Sequence, residues 1–356
     1  MKLRYSINLL KYSLGFTGAA SLYYIAPNVN WSLDWDGYYI TRNLKKKHGL
    51  NSFVQSSINN LFGQLIHFGS ISETIPFLDA PNLKYNQLIS TIFHGNKDNP
   101  KFSREIENLL DSQQMFHRFV TSCKIMTNRL KEWGFREEKI AEIPLGVDLQ
   151  IFRPIDDSEK RQRRQDLGIP DGAFVIGSFH KDGVGMKDGL QPKMIKGPDV
   201  FLKTISLLKE TLPVYVYLTA PARGYVISGL EKLGIPYKHD VFSDYREIPG
   251  SYGALDAYLV PSREEGGPKG VLEAMASGIP VVSTRVGLAP DVIHHGQNGL
   301  LADVEDFETL AANVTSLYAK PELKQTVTEN GLNTIRAYDW DLIADRYYNE
   351  IYSRLL

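Results

Sequence analysis

Two glutamates with seven residues between them, Glu265 and Glu273, stand in the segment PSREEGGPKGVLEAMASGIPVVS, residues 261–283. The pair Gly266-Gly267 follows the first glutamate, and Pro268-Lys269 leads into an apolar stretch. An ionised carboxylate only accepts hydrogen bonds, so it suits neutral donors such as sugar or ribose hydroxyls. Bare N–H groups at a helix start, with the helix dipole behind them, favour an anion. Lys269 adds a cation in the first turn, where a helix prefers an acid, and that fits a phosphate nearby. The chemistry on offer is the holding of a phosphorylated sugar. Solvated acids on an ordinary βα unit are the other reading of the spacing alone.

These side chains need elements to aim them. AYLV at 257–260 reads as a buried strand ended by Pro261-Ser262. Pro268 suits the first helical position, Val271, Leu272, Met275 and Ala276 form an apolar face, and Gly278 stops the helix. AFVIGSFH, 173–180, reads as another strand with Lys181 just beyond it, and Lys196-Gly197 open the helix PDVFLKTISLLKETL. Ligands of open α/β sheets bind beyond the carboxyl ends of the strands. Lys181, Lys196 and Glu265 are therefore expected on one edge of one sheet, facing an interdomain cleft.

The segment resembles the E-x7-E signature of family-4 glycosyltransferases, which have the two-domain GT-B fold. IPLGVDLQIFRP (143–154), TSCKIMTNRLKEWGF (121–135), IKGPDVFLKTI (195–205), NGLL (298–301) and Tyr338-Asp339-Trp340 match that family in order, from about residue 115 onward. The resemblance implies an α/β chain of two Rossmann-like domains with parallel sheets. It implies an acceptor domain over 1–152, a donor domain over 153–339 and a terminal helix, 340–356, packing back on the first domain. It also implies retention of anomeric configuration and no metal or cofactor. By the same resemblance Glu265 meets the transferred sugar and Glu273 the ribose. Lys181 and Lys196 neutralise the diphosphate, and Gly197, Gly266, Gly267, Lys269, Val271 and Leu272 complete the donor site. His94, in TIFHG, matches a histidine facing the transferred sugar; a structural histidine is its alternative. Lysine at 181 departs from the family's usual arginine, keeping the charge but losing the bidentate fork.

Strand and helix patterns alternate along the 356 residues, as two α/β domains require. SLYYIAP, GLNSFVQSS, QLIHFGS and QLISTIFHG read as the first strands, with helices near 103–117 and 121–134. The charged stretch at 155–166 marks passage into the second domain, and the loop between Lys181 and Lys196 shows no strand or helix pattern. Apolar content of 43% and charged content of 23% are those of a globular chain, and no apolar run is long enough to span a bilayer. The single cysteine, Cys123, excludes an internal disulfide and suits a reducing cytoplasm. Residues 1–150 carry a net charge of +4 and the remainder −5. The basic excess at Lys2, Arg4, Lys11, Arg42 and Lys45-Lys46-Lys47 fits peripheral contact with the inner face of an anionic membrane; a solvated helix end at KKKHG is the blander account. Leu3, Ile7, Leu10 and Leu14 permit an interfacial helix, a helix packed on the domain, or a signal peptide cleaved at GAAS. Lys11 argues against the last.

The family's glycine-rich loop is missing after the first strand. NVNWSLDWDGYYI, 28–40, stands there instead. Asp36-Gly37 reads as a tight turn near the acceptor, and Trp31 and Trp35 as a sugar platform or as a cover for the domain edge. Asp34-Trp35-Asp36 is a D-x-D of the kind that binds a divalent cation, but it lies far from the donor motif, and no metal site is expected. The expected partners are a nucleotide-sugar donor (UDP- or GDP-sugar) and a glycan, lipid-linked or small-molecule acceptor; no nucleic acid is expected. A sugar-nucleotide epimerase or hydrolase, or a non-catalytic subunit of the same fold, stays open.

Overall fold

The computed structural model describes residues 2–15, 19–30 and 32–356. Trp31, and Gly18 at the head of GAAS, lie outside the described residues. The chain divides into two compact units, Met1–Gly146 with Trp340–Leu356, and Val147–Asp339.

The first unit is built on six parallel strands: β1 (Leu22–Ile25), β2 (Ser52–Gln55), β3 (Leu65–Phe68), β4 (Gln87–Thr91), β5 (Phe116–Thr121) and β6 (Ile140–Glu142), ordered β2-β1-β3-β4-β5-β6. β3 is buried throughout, as in a parallel sheet covered on both faces. Asp36-Gly37 is not a tight turn: a short turn after β1 leads into the helix Ser32–His48, so both residues are helical. The reason lies in packing: a Cβ on Gly37 would meet the Tyr24 ring at 2.5 Å. Gly37 lets the helix lie close on β1 rather than making a turn. The terminal helix Trp340–Glu350 lies on this helix, with Tyr39 and Trp340 stacked at 5.4 Å and Lys47 paired with Asp345 at 2.7 Å.

β5 escaped the sequence reading because His117 and Arg118 interrupt its apolar pattern, and the helix before it ends at Asp111 rather than near 117. The first unit also ends at Gly146, short of residue 152. Val147 donates its N–H to the Tyr338 carbonyl at 2.8 Å, and Phe152 packs edge-on against Tyr252, so both belong with the second unit.

The second unit repeats the plan with β7 (Phe174–Ser178), β8 (Val214–Leu218), β9 (Tyr237–His239), β10 (Ala257–Val260), β11 (Val281–Thr284) and β12 (Leu300–Ala302). All pairs are parallel, and the order is β12-β11-β10-β7-β8-β9. Val200, Ile205, Val216, Leu230, Leu259 and Val314 knit the flanking helices to one face of the sheet. The charged stretch at 155–166 is itself the helix Asp157–Asp166, opened by a capping box from Asp156 and Glu159. Successive strands run outward from β7 to β9, then resume at β10 on the other side of β7. The order reverses there, and that switch point is where such sheets bind ligands.

Candidate active site

The loops leaving β7 and β10 meet at the switch point. Gly197 makes the closest approach. Its φ is +64°, and a Cβ there would stand 2.0 Å from the Pro261 carbonyl oxygen, so only glycine fits on both counts. The Arg263 and Glu264 N–H groups donate to the Ile195 carbonyl at 2.8 and 3.0 Å. The Arg263 guanidinium grips both oxygens of Asp199 at 2.8 Å and donates to the Met194 carbonyl at 2.7 Å. Its remaining donors engage Glu305. Two loops distant in sequence are thereby clamped together.

The clamp sets Lys196 Nζ 2.6 Å from Glu265 Oε2, while Ser262 Oγ donates to Oε1 at 2.8 Å. The Glu265 side chain is only 9% exposed, yet each oxygen keeps a lone pair for a hydroxyl. Gly287, with φ +51°, would place a Cβ 2.5 Å from the Gly266 carbonyl oxygen, so it braces the glycine loop from behind.

The helix after that loop runs Lys269–Ala276, one residue later than expected, with Pro268 as the residue before the first turn and no side chain capping its start. Glu273 is buried in its second turn. Tyr245 donates to its Oε1 at 2.6 Å and Tyr252 to its Oε2 at 2.7 Å. Burial pushes the Glu273 carboxyl up, against the pull of the two hydroxyls and of Lys269. Val271 and Leu272 are wholly buried, so their side chains serve the core rather than a ligand.

The 181–195 loop is more ordered than its composition implies. Gly183 pairs antiparallel with Pro192, and the Val184 N–H donates to the Gln191 carbonyl at 2.8 Å, making a hairpin. Lys181 opens this excursion, its Nζ 3.2 Å from Met186 Sδ. Lys193 closes it. Burial pushes the Lys193 ammonium down, and the charges of Lys181 and Lys196 add to that against the opposing pull of Glu265. Burial likewise lowers His180, with Arg223 and Lys196 adding to the effect. The charges of Lys181, Lys196 and Arg223 are thus felt along this edge. Lys193, Arg223, Tyr245 and Tyr252 were not singled out in the sequence. The run PKMIKGP held the signal for Lys193; the tyrosines come from a segment with no motif of its own.

The candidates in the first unit are arranged differently. His94 is exposed beyond β4, its ring edge-on to Phe102 at 5.3 Å. Trp35 packs on Tyr38 at 5.3 Å and donates from Nε1 to Asn30 Oδ1 at 3.0 Å. Asp34 accepts the Asn28 and Val29 N–H groups at 2.7 and 3.0 Å, holding the turn after β1. Asp36 is buried on the opposite side of the same turn of helix. Among the described residues no group of three His, Cys, Asp or Glu side chains is placed to hold a metal ion, and no helix is long and apolar enough to cross a membrane.

Two parallel sheets of this topology, each flanked by helices, are the GT-B fold. The Anabaena protein HepE, solved with UDP and glucose, superposes with a TM-score of 0.77 at 16% identity, covering 94% of this chain and 100% of that one. Residues 189–320 match the family described as glycosyl transferases group 1. That matched segment carries Lys193, Lys196, Glu265 and Glu273. D-inositol 3-phosphate glycosyltransferase of Segniliparus rotundus is 27% identical over 238 residues, 64% of this chain and 50% of that protein. Sulfoquinovosyl transferase of Arabidopsis thaliana is 28% identical over 214 residues, 58% of this chain and 39% of that protein. The chain spans about half the length of the first curated relatives it matches.

Proposed function

We propose that the chain is a retaining glycosyltransferase that moves a sugar from a nucleotide-sugar donor to an acceptor hydroxyl. The observation that carries this reading is the Lys196–Glu265 pair at the switch point, beside the uncapped start of Lys269–Ala276. In such a transfer the bond from the anomeric carbon to the phosphate oxygen breaks, and its electron pair leaves with the diphosphate. The acceptor oxygen bonds to the same carbon on the same face, and its proton passes to the departing phosphate. Charge builds on that phosphate, so fixed cations and N–H groups aimed at it lower the barrier. Lys181, Lys196 and the N–H groups of Gly266, Gly267 and the helix start fill this role. Glu265 aims Lys196 and accepts hydroxyls of the transferred sugar. Glu273 accepts ribose hydroxyls beside Tyr245 and Tyr252. The chemistry requires no metal, since these groups supply the positive charge.

The UDP held by HepE favours a UDP-sugar as donor. The acceptor, a glycan, lipid-linked or small molecule, is assigned to the first unit, with His94 toward the transferred sugar and Trp35 as a candidate platform. The helix Lys2–Ser13 supports contact with an anionic membrane face from the cytoplasm. Tyr5 and Tyr12 turn inward onto Phe62 and Tyr85 at 5.1 and 5.6 Å, leaving Ile7, Leu10 and Leu14 exposed among Arg4 and Lys11. A thermal-shift panel of sugar nucleotides, followed by donor turnover with the purified chain, tests the function. One nucleotide sugar should raise the melting temperature and be turned over. Stabilisation without turnover under any acceptor supply favours a non-catalytic binder, and no stabilisation by any donor defeats the reading.

A further inference from the structure

Behind the lysines lies a buried ion pair with no part in the transfer chemistry above. Arg223 and Asp182 are each 1% exposed, with Nη2 and Oδ2 3.0 Å apart. Arg223 also donates to the Ser178 carbonyl at 2.6 Å, the Thr219 carbonyl at 2.9 Å and Ser178 Oγ at 3.0 Å. One guanidinium thus ties the ends of β7 and β8 to the residue after Lys181. Arg223 Nε and Asp182 Oδ1 stay buried without a hydrogen-bond partner in the protein. A pair in that condition is a poor stabilising device: apolar replacements of buried pairs are often neutral or stabilising.

Its geometric effect is more telling. The Asp182 carbonyl accepts the Lys193 N–H at 2.7 Å, and the Lys193 carbonyl accepts the Lys196 N–H at 2.8 Å. Asp182 therefore joins the two stems of the hairpin, one bearing Lys181 and the other Lys193. Lys193 feels the like charges of Lys181 and Lys196 against the opposing charge of Glu265, a cation excess that a polyanion would relieve. We infer that Lys193 is a third cation for the donor diphosphate, and that Arg223 and Asp182 are positioning residues that hold Lys181 and Lys193 beside Lys196 and Glu265. The inference rests on the transfer reading for the identity of the anion, but its anion site can be tested without base or sugar.

Inorganic pyrophosphate is titrated calorimetrically into the purified full chain over a range of salt. Wild type should bind. Lys193→Met should weaken binding about tenfold, the worth of one charge-assisted hydrogen bond, and flatten the salt dependence, while Lys193→Arg should restore most of both. The double variant Arg223→Met/Asp182→Leu should keep its melting temperature yet lose affinity by a similar factor. Unchanged affinity in Lys193→Met overturns the third cation. A double variant with wild-type affinity, or one that melts much earlier, overturns the positioning role; Asp182→Asn, a milder change, must then also leave affinity intact. Wild type that fails to bind pyrophosphate overturns the site. Lys193-dependent pyrophosphate binding with no response to any nucleotide sugar would instead sink the transfer reading alone.

Discussion

Replacing Gly197 by alanine should damage both the fold and the site, by amounts the structure sets. The backbone there has φ +64°, and the new Cβ would lie 2.0 Å from the Pro261 oxygen, where real Cβ contacts stay beyond 3.0 Å. The left-handed conformation alone costs about 1–2 kcal/mol. The strands of chain must also part by about 1 Å. That stretches the two bonds to the Ile195 carbonyl, now 2.8 and 3.0 Å, past hydrogen-bonding range, at about 1 kcal/mol each. The sum, about 3–4 kcal/mol, lowers the melting temperature of a domain this size by roughly 10 °C. Lys196 moves with the loop, and under the proposed transfer a 1 Å misplacement of that lysine costs about a hundredfold in rate. Gly168 provides the control, since its φ is +67° with nothing within 4 Å of a Cβ. Gly168→Ala should lose only the conformational part and keep its activity. The paired measurement is calorimetric melting together with donor turnover for both variants. If Gly197→Ala melts and turns over like Gly168→Ala, the close approach to Pro261 does not position Lys196.

Three other expectations follow from the same structure. Glu273→Gln should leave the melting temperature unchanged or raised, because burial already pushes this carboxyl up, while nucleotide affinity by titration falls about tenfold; unchanged affinity removes the ribose assignment. Asp256 gives an acid-sensitive contribution. Burial alone would raise its carboxyl, but Lys160, Lys324, Arg164 and the Val175 N–H hold it at about 2, against an ordinary 3.8. A depressed carboxyl stabilises the fold above its unfolded value, so Asp256→Asn should cost ~2 kcal/mol at pH 7, with the difference from wild type fading between about pH 4 and pH 2 in denaturant melts; a difference independent of pH contradicts the pairing. Transfer should survive excess EDTA, and Asp34→Asn should lose only the modest stability of the turn after β1; activity abolished by EDTA and restored by Mn²⁺ would overturn the metal-free mechanism.

Much of the second unit was legible because its punctuation is local. Pro261, Gly278 and the apolar run AYLV state their own conformations, and Glu265 and Glu273 follow from the strand-loop-helix between them. The Lys196–Glu265 contact could be anticipated only as shared residence on one sheet edge, since Gly197 shows its purpose only when Pro261 is placed against it. Tyr245 and Tyr252 reach Glu273 through tertiary packing, which leaves no periodic trace. The first unit misled for the opposite reason. Asp36-Gly37 carries strong turn chemistry, but the fit of Gly37 against Tyr24 overrode it, and His117-Arg118 hid β5 on a strand whose other residues face the core.

The hairpin after β7 leaves the sheet and returns through adjacent residues, Gly183 and Pro192. An excursion whose ends are already joined can change length at little entropic cost, because closure depends only weakly on the number of residues enclosed. The returning side is tied down, since the Asp188 and Gly189 carbonyls accept the Gly224 and Tyr225 N–H groups at 2.7 and 3.1 Å, so the exposed residues Val184 to Lys187 are the part that can vary. Evolution or an engineer can lengthen or change that exposed turn while the stems that bear Lys181 and Lys193 stay joined. Among chains with this second unit, that turn is a natural place for new substrate preferences to be written.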